Sequence, residues 1–314
     1  MKRVGALAVA LSLCSCRSGV TPATFEARTL RPSVRESSAR ATYFPPATPR
    51  ARRHGVPVLV VEPVLFRREL LTAGPSGGLV GYLESEGFSV WLVWSAAPDA
   101  PSAAAFARDV VLAAQAIAQE TGANQVDIVG VSFGAEAALR ALEPLTSPDA
   151  PVTARRVAFL GGGFDFAYPH SFAARTANVR GGPASALCSL DGDRGCAHEF
   201  HQAPEAVPWL GALPPSEDAL APARERFAFA RRFSRLPVLF VNGKADGIAP
   251  SESMFPLYTL WGSDEPNPRN IPKLLFLAGR ENGLAHELDH FDLFAGDQVT
   301  DVWSHVARWL ERSD

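Results

Sequence analysis

Beyond about residue 54, short apolar runs alternate with longer stretches in which apolar residues recur at helical spacing. Short apolar runs bounded by turn formers read as strands buried on both faces. Longer stretches with a 3.6-residue period read as helices packed on them. Strands are expected over Val56 to Val61, Ser89 to Val93, Gln125 to Val129, Val157 to Leu160, Pro237 to Val241 and Lys273 to Ala278. Helices are expected over Leu70 to Glu86, Ala103 to Thr121, Ala135 to Glu143 and Asp297 to Arg312. In the last of these, Val299, Val302, Trp303, Val306, Trp309 and Leu310 share one face, so its tryptophans belong to the core. The alternation predicts a mostly parallel sheet flanked by helices.

Three stretches depart from this rhythm. From Phe166 to about Arg235 there is no strong strand signal, but many Pro, Gly and aromatic residues. That length exceeds an ordinary loop and predicts a cap inserted between two strands, about 166–235. From Arg17 to Arg53 the chain is rich in Arg, Ser, Thr, Ala and Pro. It reads as a tether, or in part as an extended strap, which Tyr43 and Phe44 permit. At the start, Lys2 and Arg3 precede an apolar run, Val4 to Leu13, that is too short to span a bilayer, the pattern of a signal peptide. It ends in Leu13-Cys14-Ser15-Cys16, which resembles a bacterial lipobox with Cys16 as the lipidated residue. Cys14 fits less well, since bulky Leu13 precedes it. The expectation is an exported lipoprotein held at a bacterial membrane, on the periplasmic or cell-surface side, with simple secretion as the alternative. The chain then divides into a signal peptide and lipobox over 1–16, a tether over 17–53 and one domain over 54–314.

With 47% hydrophobic and 20% charged residues, 314 residues can build a large core. The formal charge of −3 leaves no cationic excess for phosphate neutralisation, which argues against nucleic acid as a partner. Export would let Cys188 and Cys196, which bracket a Gly/Asp-rich turn, form a disulfide. Two unpaired thiols are the alternative.

The segment VDIVGVSFGAEAALR places Gly130-Val131-Ser132-Phe133-Gly134 between an apolar run and an Ala-rich stretch: strand, tight turn, helix. A serine at such a turn exposes its hydroxyl at the carboxyl edge of a sheet, and the following helix directs its positive end at the site. This pattern resembles the nucleophile segment of the α/β-hydrolases, with an inserted cap. A serine needs a base to take its proton and an acid to orient that base, and in that family both follow the serine in sequence. Asp246, in Asn242-Gly243-Lys244-Ala245-Asp246-Gly247-Ile248-Ala249-Pro250 after a strand, is the expected acid, with Asp165 as runner-up. An Asx turn is the competing job for such an aspartate. His290 is the expected base, in the loop after Lys273 to Ala278. His286 is its alternative, and His305 falls within the last helix. Backbone N–H groups of Phe133 and of a residue near Val64 are the expected oxyanion donors. His286 and His290 enclose Glu287, but HELDH is not HExxH in a long helix and has no clear third ligand, so neither metal nor cofactor is expected.

The chain also resembles the polyhydroxyalkanoate synthase and depolymerase branch of the α/β-hydrolases over most of residues 55–312. The segments that carry this are PVLVVEPVLFRRELL, GFSVWLVWSAAPDA, GVSFG, GGGFDF, ADGIAP and HFDLFAGDQVTDVWSHVARWLE. The resemblance implies nucleophile Ser132, acid Asp246, base His290 and a cap over a tunnel for hydrophobic acyl groups. Two departures bear on the chemistry. Synthases of that branch carry cysteine where this chain has Ser132, which favours hydrolysis, and Asp289 stands where a glycine often precedes the histidine. The expected function is acyl ester hydrolysis on a small or lipid-like substrate. The alternatives are acyl transfer or polyester handling with the same triad, and a non-catalytic binding module on the same fold.

Overall fold

The computed structural model describes residues 28–30, 38–47, 53–63, 68–73, 75–95, 102–165 and 222–312. Cys16, Val64, Cys188, Cys196 and residues 166–221 of the expected cap lie outside them.

An eight-stranded sheet runs through the described residues in the order β1-β2-β4-β3-β5-β6-β7-β8. Its strands are β1 (Arg28–Leu30), β2 (Ala39–Phe44), β3 (Val58–Val61), β4 (Val90–Ser95), β5 (Gln125–Val131), β6 (Thr153–Leu160), β7 (Val238–Gly243) and β8 (Lys273–Ala278). From β4 to β8 every neighbouring pair is parallel, whereas β1 and β2 are antiparallel additions at one edge. The helices are α1 (Gly78–Ser85), α2 (Ala103–Thr121), α3 (Gly134–Leu145), α4 (Ala223–Arg226), α5 (Ser251–Leu260), α6 (Asp292–Ala295) and α7 (Val299–Glu311).

The continuous apolar runs follow from burial on both faces. In β3, Leu59 and Val61 enter one core with Phe106, Ala138 and Phe159, while Val58 and Val60 enter the other with Leu83, Trp303 and Val306. Alternate residues of a strand point to opposite faces, so a parallel strand covered twice needs no polar face.

Besides α5, which the sequence reading does not include, three stretches differ from the sequence expectation. The helix expected over Leu70 to Glu86 is two 3-10 turns, Arg68–Leu71 and Pro75–Gly77, followed by α1. Ser76, Gly77 and Gly78 all take positive φ (57°, 77° and 68°), which breaks the helix there. Within 17–53, the stretch that composition reads as a tether, residues 28–30 and 39–44 are strands, and all six residues of β2 pair with β4. The strap alternative describes β2, where Ala39 and Ala41 are buried. Residues 222–235, at the end of the expected cap, hold α4 and a 3-10 turn, and Ala223, Phe227, Ala230 and Phe233 sit in the first core.

Candidate active site

Parallel strands bring the loops after their carboxyl ends to one edge of the sheet, where sites of open α/β sheets form. Ser132 follows β5, Asp246 lies three residues past β7, and His290 stands in the segment between β8 and α6.

Ser132 has φ 50°, a left-handed conformation that costs a non-glycine residue roughly 1 kcal/mol or more. Two backbone hydrogen bonds hold it there. Its own N–H donates to the Leu160 carbonyl at the end of β6 (2.8 Å), and its carbonyl accepts from the Ala135 N–H (3.0 Å). The turn also runs very close to β3. A Cβ on Gly134 would lie 2.0 Å from the Glu62 carbonyl oxygen, so only glycine fits. Phe133, whose amide follows the serine, is the N-cap of α3. Its N–H therefore stands at the positive end of that helix. The second expected donor, near Val64, lies outside the described residues.

A carboxylate close to that helix start would oppose an anion, and Glu136 lies in the first turn of α3. Its charge is taken up locally. Arg226 reaches Glu136 Oε1 at 2.7 Å, Arg140 reaches it at 2.8 Å, and both Glu136 and Arg226 side chains are 6% exposed.

Ser132 and Asp246 follow strands separated by β6, two inter-strand spacings or about 10 Å apart. An imidazole lying over the end of β6 spans that gap. Ser132 Oγ lies 2.9 Å from His290 Nε2, and His290 Nδ1 lies 2.8 Å from Asp246 Oδ2. A carboxylate only accepts, so the ring proton sits on Nδ1 and leaves Nε2 to accept from the serine hydroxyl. Gly161, just after β6, has φ 65°, and a Cβ there would sit 3.1 Å from His290 Cε1. The ring packs edge-on against Phe294, with centroids 5.4 Å apart. All three side chains are withdrawn from solvent, with Ser132 at 2%, Asp246 at 4% and His290 at 0% exposure.

Asp246 has partners on both carboxylate oxygens. Oδ2 meets His290, while Oδ1 accepts from the N–H groups of Ile248 (2.9 Å) and Ala249 (2.7 Å) as an Asx turn. Asn242, buried in β7, donates to the Ala249 carbonyl (2.6 Å) and holds the far side of that loop. The turn carrying His290 has a reciprocal clasp: the Asp289 N–H donates to Asp292 Oδ2 (3.1 Å), and the Asp292 N–H donates to Asp289 Oδ1 (2.9 Å). An aspartate at 289 thus has a structural purpose that glycine could not serve.

His286 is elsewhere: Gln298 Nε2 lies 2.9 Å from its Nδ1, and Asp292 lies 3.6 Å from its Nε2. Asp165 lies after β6, where its N–H donates to the Ser253 carbonyl (2.9 Å). His305 stacks on Phe276, with centroids 3.8 Å apart, and burial lowers its pKa below the usual histidine value. Among the described residues no three His, Cys, Asp or Glu side chains gather as a metal site, and no helix is long and apolar enough to cross a membrane. Asn242, Gly161 and Asp292 also shape the site and are not among the residues expected from the sequence. Each had a visible signal, a polar residue or glycine within a few positions of a strand end or of the histidine.

The architecture has known counterparts. The chain is similar to a meta-cleavage product hydrolase, with TM-score 0.57, 13% identity, and 91% of this chain and 98% of that one covered. The chain has the α/β-hydrolase fold. It is also similar to a lipase-esterase related protein from Clostridium acetobutylicum (TM-score 0.58, 12% identity, 86% of this chain and 99% of that one). A third similar structure is carboxylesterase CesB from Bacillus subtilis (TM-score 0.52, 16% identity, 93% and 94%). No family model matches the sequence, and no curated protein matches it either. In the α/β-hydrolase fold, β5, the turn at Ser132 and α3 stand at the position of the nucleophile elbow, and the loops after β7 and β8 at the positions of the acid and histidine loops.

Proposed function

We propose that the chain is a serine hydrolase that cleaves acyl esters through an acyl-enzyme on Ser132. The observation that carries this is the buried, unbroken hydrogen-bond chain Ser132 Oγ, His290, Asp246, with the serine at φ 50° on a strand-to-helix turn. In the first half-reaction His290 Nε2 takes the hydroxyl proton as Ser132 Oγ attacks the ester carbonyl. Asp246 holds the ring and stabilises the imidazolium that forms. The tetrahedral oxyanion falls to the Phe133 N–H at the start of α3 and to a second N–H from the segment near Val64. His290 then returns its proton to the departing alkoxide, and the acyl-enzyme is hydrolysed by water through the same steps in reverse order. No step requires a cofactor.

Serine at position 132, in place of the synthase cysteine, supports hydrolysis over chain growth, since an oxygen ester is the intermediate that water resolves. The carboxylesterase and lipase-esterase among the similar structures agree with that class at the level of fold. The Cys16 lipobox supports placement at a membrane, where lipid-like esters are at hand.

The test is labelling with a fluorophosphonate probe on wild type and Ser132→Ala, alongside a panel of aryl esters of rising acyl length. Labelling and turnover are expected in wild type alone. Equal labelling of both proteins would remove Ser132 as nucleophile, and palmitate incorporation that survives Cys16→Ala would remove the anchor assignment.

A further inference from the structure

The amino ends of β6, β7 and β8 form the sheet edge opposite the triad, and beside them lies a cleft of about 710 Å³. Its charged lining has one sign: Arg156, Arg235, Lys273 and Arg312, with no carboxylate among the lining residues. On a chain of net charge −3 this is a local reversal.

Trp309 organises the cleft. Its indole N–H donates to the Val157 carbonyl (2.8 Å), which fixes the ring, and the guanidinium carbons of Arg156 and Arg312 stand 5.4 and 5.2 Å from its centroid. Arg156 is 4% exposed. Asp127, a carboxylate whose charge Arg156 also feels, is gripped at both oxygens by Arg155, at 2.9 and 2.5 Å. Lys273 Nζ donates to the carbonyls of Tyr258 (2.8 Å) and Trp261 (3.2 Å), so its charge is oriented by neutral groups. Arg235 and Arg312 are exposed, and neither has a carboxylate partner among the described residues.

Packing accounts for buried Arg156 and half-buried Lys273, but Arg235 and Arg312, which line the same cleft, have no carboxylate partner among the described residues, and like charges facing one cleft repel. The neighbouring cleft makes the contrast. It is lined by Arg155, Arg232 and Arg235 but also by Glu143, which pairs with Arg232 at 3.2 Å. Guanidinium groups match the oxygens of a phosphate in paired hydrogen bonds, and a cleft of this size holds a small organic ligand.

We propose that this cleft, remote from the triad, is a binding site for a phosphate-bearing anion, either a soluble phosphate ester or the headgroup of an anionic lipid. The assignment is independent of the ester-hydrolysing function. Inorganic pyrophosphate is titrated into the full chain at low ionic strength by calorimetry and thermal shift. In parallel, the protein is co-sedimented with phosphatidylcholine vesicles with and without phosphatidic acid. Both are repeated with Arg235→Gln/Arg312→Gln, and with Arg312→Gln alone should the double variant lose thermal stability. Wild type is expected to bind pyrophosphate with a rise in Tm, and the double variant to bind it about tenfold more weakly or worse, with its fluorophosphonate labelling intact. Pyrophosphate binding without capture by anionic vesicles identifies a soluble ligand. Arginine-dependent capture by phosphatidic acid vesicles identifies a headgroup. Absence of both kinds of binding, or binding that the substitutions leave unchanged, overturns the proposal.

Discussion

Asp246 and His290 are joined by one carboxylate oxygen only; the other oxygen of Asp246 belongs to the backbone of its own loop. Orientation of the imidazole and shape of the acid loop are therefore separable by substitution. In Asp246→Asn the amide oxygen can still accept from Ile248 and Ala249, but the amide nitrogen would face His290 Nδ1 and favour the wrong tautomer. The expected result is a fall in ester-hydrolysis kcat of about 10³- to 10⁴-fold with Tm little changed. Asp246→Ala should lose both activity and Tm. Steady-state kinetics and a thermal melt on the two variants separate the effects, and an active Asp246→Asn would remove the residue from the triad.

Gly161 tests how tightly the base is seated. Alanine there must adopt φ 65° and bring its Cβ to 3.1 Å from His290 Cε1, with Phe294 and Leu293 nearly as close. A left-handed alanine costs about 1 to 2 kcal/mol in stability. Displacing the ring should cost more in turnover than in folding, about a hundredfold in kcat for a shift near 1 Å. Urea unfolding and ester kinetics on Gly161→Ala give the comparison. A variant as active as wild type would show that the ring is free to move away.

A pH dependence of stability is expected far from the triad. Glu84 in α1 is buried, its Oε1 has no hydrogen-bond partner, and burial raises its carboxyl pKa to about 7. The native state then holds a proton between pH 4.5 and 7 that the unfolded chain has released. Stability tied to this group is fully present below about pH 4.5 and is lost as pH rises through 7. The loss amounts to at most about 3 kcal/mol. Glu84→Gln removes the titration, so its stability relative to wild type should improve from pH 5 to pH 8 in urea melts. A difference that stays constant across that range would contradict the assignment.

Much of the parallel sheet was legible because each strand from β3 to β7 contains an apolar run covered on both faces, and edge strand β8 keeps an apolar run although Leu274 is exposed. The candidate site was legible for a related reason: Ser132, Asp246 and His290 are polar groups in turns that directly follow such runs. β2 was hard to see because its inward residues are Ala39 and Ala41, with Arg40 and Thr42 between them, so its apolar alternation is faint. α5 was hidden by Pro250 and Pro256, although Pro250 sits at its N-cap. His290 is the expected base on loop position alone, with His286 as its alternative, and three dimensions show what separates them. Both occupy one loop, and the difference is the Asp289 and Asp292 clasp that turns one ring toward β5 and leaves the other beside Gln298.

The strands at the sheet's antiparallel edge change what a lipid on Cys16 would mean. A chain free from residue 17 to 53 could stretch roughly 130 Å at full extension, enough to let the domain roam well clear of a bilayer. With β1 already fixed to β2 at Arg28, the line from Cys16 shortens to about 40 Å, little more than the width of a small domain. Such an enzyme would be moored close by its edge strand, sampling esters within the membrane surface more than those in the bulk around it.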